Sequence, residues 1–267
     1  PKGNVNRAGP IYGRNRGAVV NSQKWLKKLI LQKMVKRASV ITCDADHLRK
    51  KLVDLGAEQE NIKIVMFGID KETFTSDRIP FDVQGKNVKF NVGSIRNLHP
   101  VYDVITFLKA AKIVLDKRQD VNFNVAGSGP DLQYLQNFVD EHDLKNNIKF
   151  IGRLDSSELY DFYNSLDIYV STSLSDGGIA SSTAEAMLCA RPVIVTDAAD
   201  NREWVTDKDN GRLFDCRDFE NLALIINELL NDHQNSQKLG LKAKKTIMRL
   251  NEYNNEMKRM LKIYHEI

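Results

Sequence analysis

Residues 168–195 read IYVSTSLSDGGIASSTAEAMLCARPVIV, and this stretch decides the fold. It opens on an apolar, β-branched run at 168–170 and closes on another at 192–195. Between them come small, hydroxylated and glycine residues, then a segment at 181–188 with helical spacing. Strand, loop, helix and strand in that order make a βαβ unit, which joins parallel strands. Both runs are continuously apolar, as strands covered on two faces must be.

The same alternation extends outward. Apolar runs at 39–43, 62–67, 88–92, 121–125 and 148–151 read as further strands. Helical spacing at 46–55, 101–115, 131–141, 157–165 and 219–231 separates most of them. The fold class is therefore α/β, a parallel sheet with helices on both faces. Asp46 stands where a helix cap is expected, and Gly56 where that helix should stop. Ser156 and Ser157 precede another helix, whose first turn carries Glu158.

Residues 68–86, GIDKETFTSDRIPFDVQGK, have no clear period and read as a linker. The piece before it is too small to bury a core of its own. It is expected to end a domain whose remainder lies outside this chain. A nearly complete α/β domain follows to about residue 231, then a charged helical tail. The organisation expected is 1–70, 71–231 and 232–267.

Composition suits a globular protein, with 42% hydrophobic and 28% charged residues over 267. The net charge of +4 is too small to argue for nucleic acid. Cys43, Cys189 and Cys216 are far apart and form no CxxC pair, which fits a reducing cytoplasm. Residues 1–17 are polar, without a signal peptide's apolar core, and lack an initiator Met. The chain is expected to start inside a longer protein. Residues 23–37, QKWLKKLILQKMVKR, read as a basic amphipathic helix. That helix serves either an ordinary domain or peripheral contact with an anionic membrane.

In a parallel α/β sheet, ligands bind outside the carboxyl ends of the strands. Three loops stand there. The first holds Gly93, Ser94, Arg96 and His99. Arg can take a phosphate with two N–H groups, and a solvated surface loop explains the residues equally well. The second is Gly127-Ser128-Gly129-Pro130. It allows close backbone approach to a ligand, or is a plain tight turn. The third, at 171–187, is rich in Ser, Thr and Gly and leads into a helix. Open N–H groups at a helix start attract anions. Asp176 and Glu185 add carboxylates able to accept hydrogen bonds from sugar or ribose hydroxyls, while Glu185 alone also reads as an exposed helix residue. Asp197 and Asp200 share a loop, but no third ligand accompanies them, so no metal is expected.

Taken in order, IVMFGIDKETF, VGSIRNLHP…FLKA, NVAGSGPDLQYL, IKFIGRLDSSELYDFYNSLDIYVSTSLSDGG, AEAMLCARPVIVTDAADNREWV and DNGRLF resemble the family-4 glycosyltransferases. That family has the GT-B fold, two Rossmann-like domains around a cleft. The resemblance implies that most of the acceptor-side domain is absent here, and that the C-terminal helix crosses back towards it. Glu185 matches the second of the family's paired glutamates, which holds the ribose hydroxyls. The first glutamate, which contacts the donor sugar, has no identical match. Asp176 lies nine positions before Glu185 where the pattern wants eight, and Gly177 takes the eighth. Backbone N–H groups of Gly177, Gly178 and Ile179 are implied to serve instead.

The family's Arg and Lys after the glycine matching Gly93 are replaced by Ser94 and His99. Arg96 is the expected substitute for the diphosphate contact, with His99 second. The stretch at Gly152, Arg153 and Leu154 resembles the one whose backbone reads the base, and Gly127 and Gly129 are placed on the donor site. The implied reaction is retaining, metal-free transfer from a nucleoside-diphosphate sugar to a glycan or lipid-linked acceptor. Arg96, Asp176 and Glu185 are its expected catalytic residues. The altered motifs leave open a non-catalytic sugar-nucleotide-binding protein, and a sugar-nucleotide epimerase of the same fold is the third reading.

Overall fold

The structure is a computed structural model describing residues 15–71, 73–74, 78–81, 89–176 and 178–266, with only the backbone over 15–24. The chain divides into two units after Ile64. The first holds α1 (Asn15–Arg37), β1 (Ile41–Cys43), α2 (Asp46–Asp54) and β2 (Ile62–Ile64), with β1 and β2 paired in parallel. Its core is small: Val35, Ala57 and Ile62, flanked by Ile41, Cys43, Leu52 and Leu55. Along α1 the lysines and apolar residues are spread around the helix, so the amphipathic face read from the sequence does not form. Trp25, Leu26, Ile30 and Met34 are exposed. Asp46 is not the cap of α2. Ala45 takes that position, and Asp46 sits in the first turn, paired with Arg49 and Lys50.

The second unit carries a six-stranded parallel sheet in the order β5-β4-β3-β6-β7-β8. Its strands are β3 (Phe90–Ile95), β4 (Val121–Ala126), β5 (Ile148–Gly152), β6 (Ile168–Ser171), β7 (Val193–Thr196) and β8 (Arg212–Phe214). The helices are α3 (Val104–Leu115), α4 (Leu132–Glu141), α5 (Ser156–Ser165), α6 (Ser181–Leu188), α7 (Asn201–Trp204), α8 (Phe219–Asn231), α9 (His233–Leu250) and α10 (Tyr253–Glu266).

Alternation along each strand builds two cores. In β6, Ile168 and Val170 join the helices α3, α4 and α8, while Tyr169 between them joins α5, α6 and α9. In β7, Ile194 takes the first side and Val193 and Val195 the second. Strands apolar on both faces are therefore what this sequence requires. The strand β8 and the short α7 were not expected. Arg212-Leu213-Phe214 is too short and too charged to stand out as an apolar run.

Helix α5 starts differently from expectation. Asp155, not a serine, is its cap, accepting N–H groups of Ser157 and Glu158 while Glu158 bonds back to the Asp155 N–H. The tail is part of the second unit. Leu239, Ala243 and Ile247 of α9 are buried in its cores. Beyond α9, Asn251 receives the N–H groups of Gly68 and Ile69, and the buried Glu256 receives that of Met66 at 2.9 Å. No helix of the described residues is long and apolar enough to cross a membrane.

The order of the sheet fixes where a ligand belongs. The chain enters at β3, builds outward through β4 and β5, then crosses back to place β6 on the other side of β3. The chain leaves β3 for β4 on one side and leaves β6 for β7 on the other, which makes the β3–β6 junction the switch point at which such sheets bind ligands.

Candidate active site

The loops after β3 and β6 meet at that switch point through Arg96. One terminal nitrogen donates to the Ser182 hydroxyl at 3.2 Å. The other reaches the Ser173 hydroxyl at 3.4 Å and pairs with Asp176. Both the Arg96 and Asp176 side chains are only 9% exposed. The guanidinium lies over the Tyr102 ring, 4.4 Å from its centre. Thr172 Oγ1 donates to the Tyr102 carbonyl at 2.9 Å, and Leu174 N–H to that of Val101 at 2.9 Å. The two loops are thus sewn together around the cation. Ser182 also accepts from Tyr169 Oη at 2.9 Å. The helix start beneath is uncapped by any side chain, since Ala180 stands at the cap.

Beside this cluster, Glu185 projects from α6 and accepts the Tyr163 hydroxyl at 2.7 Å. Burial pushes the Glu185 carboxyl above its ordinary range, and the hydrogen bond from Tyr163 opposes that rise. Burial also holds Tyr163 well above the usual phenol value, with Glu185 adding to it. Two more hydroxyls, Ser94 on β3 and Ser171 on β6, are buried without a hydrogen-bond partner among the described residues.

The other expected site residues separate into groups. Gly93 and Ser94 are not loop residues: β3 continues to Ile95, and both are buried within it. A Cβ on Gly93 would lie 2.5 Å from the Leu166 side chain, so that position is held by packing. Gly127 and Gly129 face the chain itself. A Cβ there would come 1.9 Å from the Arg96 carbonyl oxygen and 2.3 Å from that of Leu98. The β4 loop is hydrogen-bonded along the β3 loop, Leu98 N–H to Ser128 O and Asp131 N–H to Leu98 O. These glycines support Arg96 from behind.

Gly152 has φ +85 and open space where a Cβ would be. Arg153 is exposed, and Leu154 packs partly against the second core. His99 is exposed at the start of a 3₁₀ turn. Gly178 has φ +64 and gives its N–H to Asp200 at 3.3 Å. Ile179 is a core residue, 2% exposed. Gly177 lies outside the described residues.

Ser173, Ser182, Tyr102, Tyr163 and Tyr169 complete the site and were not singled out from the sequence. The tyrosines sit inside apolar periodic segments and read as core. Asp197 is paired with Arg202, and no cluster of three or more metal-ligand side chains exists among the described residues. A separate cavity of about 560 Å³, lined by Asp103, Lys109, Tyr134 and Arg217 among others, includes none of the expected site residues.

An arginine beside serine hydroxyls and a helix start can hold an anion, and a neighbouring carboxylate can accept from hydroxyls. Comparison with known proteins gives the family and the fold. The family model described as glycosyl transferases group 1 matches residues 75–246. An uncharacterized glycosyltransferase of Methanocaldococcus jannaschii is 23% identical over 90% of this chain and 62% of its own. The capsular polysaccharide biosynthesis glycosyltransferase CapM of Staphylococcus aureus is 24% identical over 87% of this chain and 64% of its own. The chain thus spans less than two thirds of these relatives. Anabaena HepE, crystallised with UDP and glucose, superposes with a TM-score of 0.77 over 92% of this chain and 69% of its own, at 18% identity. Staphylococcus aureus TarM gives 0.74 over 89% and 46%, at 20% identity.

Proposed function

The chain belongs to the glycosyl transferases group 1 family, and from that premise we propose that it carries the donor half of a retaining glycosyltransferase. The donor is a nucleoside-diphosphate sugar, and the acceptor a glycan or lipid-linked glycan in polysaccharide assembly. The observation that carries the reading is the convergence of Arg96, Ser173 and Ser182 on the switch point between β3 and β6. Leaving-group charge develops on the diphosphate as the anomeric bond breaks. A preorganised cation, largely shielded from bulk water, stabilises that charge more than it stabilises the ground state. Glu185, held by Tyr163, takes the ribose hydroxyls. Asp176 is the carboxylate placed for the donor sugar, and the backbone after β5 reads the base. The relatives support the substrate class: CapM is named for capsular polysaccharide biosynthesis, and HepE was crystallised with UDP and glucose. No step here calls for a metal.

Calorimetry with a panel of nucleoside diphosphates and their sugars, on this chain and on Glu185→Ala, tests the reading. One diphosphate should bind, and the variant should lose it. A folded chain that binds none of the panel overturns the donor assignment.

A further inference from the structure

We propose that Asp176 is a resident stand-in for the donor's diphosphate, which must displace it, and that the displaced carboxylate then engages the donor sugar. This deepens the donor-site reading and rests on it. Arg96 and Asp176 are each 9% exposed and paired with one another. The Arg96 Nε is buried with no partner among the described residues. An arginine prefers to present paired N–H groups to one anion, whereas here the carboxylate meets a single terminal nitrogen, which Ser173 shares, and the other terminal nitrogen goes to Ser182. A cation this buried costs too much to leave unpaired, so its own chain neutralises it between turnovers. A diphosphate brings more charge and more acceptor oxygens to the same guanidinium.

The carboxylate can leave by rotation of its own side chain, while Gly178 at φ +64 and Ile179, anchored in the core, keep the helix start in place. A swung Asp176 supplies a hydrogen-bond acceptor for a donor sugar's hydroxyls. The consequence is selectivity between substrate and product. A bare nucleoside diphosphate must open the pair and gains nothing from Asp176, whereas the intact sugar nucleotide opens it and gains a hydrogen-bonding partner. Asp176 therefore weakens product binding more than donor binding.

The experiment is calorimetric titration of inorganic pyrophosphate, UDP, UDP-glucose and uridine into the chain and into D176N, D176S, R96A and R96A/D176N, each checked by a thermal melt. If the pair is closed about nine-tenths of the time, opening it permanently tightens an anion's apparent affinity roughly tenfold. Pyrophosphate and UDP should tighten by about that factor in D176N and D176S. Uridine should not change, and UDP-glucose should gain less than UDP. The gain should vanish in R96A/D176N. Unchanged or weaker pyrophosphate binding in both Asp176 variants overturns the stand-in role. Full pyrophosphate affinity in R96A would instead remove Arg96 as the anion site, and with it the donor-site reading. Pyrophosphate decides the matter whatever base the donor carries.

Discussion

The loop after β4 and the loop after β6 both carry glycines at carboxyl ends of strands in one sheet. On the side where a Cβ would stand, Gly127 and Gly129 are packed against the carbonyls of Arg96 and Leu98, so that side is closed. Gly178, in the loop that also brings Asp176 and Ser173 to Arg96, gives its N–H to Asp200 beyond β7. A strand-end glycine in the first loop makes room for the protein itself, and in the second it shapes the crevice. Gly152 is a third case, with positive φ and nothing nearby. What separates the three is which atoms lie at the missing Cβ.

Substitutions test that separation. Gly127→Ala meets a backbone oxygen at 1.9 Å in addition to its φ of +125. It is expected to cost about 3–5 kcal/mol by denaturant titration, since neither strand-end loop can retreat without breaking their shared hydrogen bonds. A loss under about 1 kcal/mol would mean that the two loops are not rigidly zipped. Arg96→Ala should lower the melting temperature, since it leaves the buried Asp176 carboxylate unpaired, and should weaken diphosphate binding to the folded chain by about a hundredfold, about 2.7 kcal/mol, read by calorimetry. Gly152→Ala suffers from φ alone, so about 1 kcal/mol is expected. Equal costs at Gly127 and Gly152 would show that conformation, not crowding, governs both.

Glu185→Gln gives a smaller effect of opposite sign. Burial raises the folded-state value of this carboxyl above its unfolded one. The neutral acid's contribution to stability is therefore full below the unfolded value and is lost as pH rises through the folded one. At pH 7 the Gln variant should melt about 2 °C above the parent, and the gap should close as pH falls towards 4. The same variant should bind nucleotide more weakly. An unchanged melting temperature at pH 7 would place Glu185 in water. Arg153→Ala, at an exposed position, should shift stability by less than about 0.5 kcal/mol in a denaturant titration.

Much of the fold was legible because buried parallel strands leave continuous apolar runs. Helices α6 and α8 occupy the residues their spacing indicated. Reading failed where local and tertiary signals part. β3 runs through Gly93 and Ser94 because it pairs with β4 as far as Ile95, a fact of the neighbour and not of the run. β8 exists because β7 offers it an edge, although its own three residues include a buried arginine. The capping box at Asp155 was available in the sequence, with Glu158 three residues on, and the serines beside it drew attention away.

The site divides the same way. Arg96, Asp176 and Glu185 can be named from the sequence as candidates, because the resemblance runs through the motifs in which they stand. Their partners cannot. Tyr102, Tyr163 and Tyr169 lie in apolar periodic stretches, and only folding brings their rings and hydroxyls to Arg96, Glu185 and Ser182. By itself the sequence determined the α/β class, the parallel sheet and the charged groups at its carboxyl ends, since periodicity and residue chemistry are local. The tertiary structure alone decided that β6 returns beside β3, that Arg96 is already paired, and which glycines face backbone and which face open space. Those depend on strand order and on atoms distant in sequence, where no local pattern reaches.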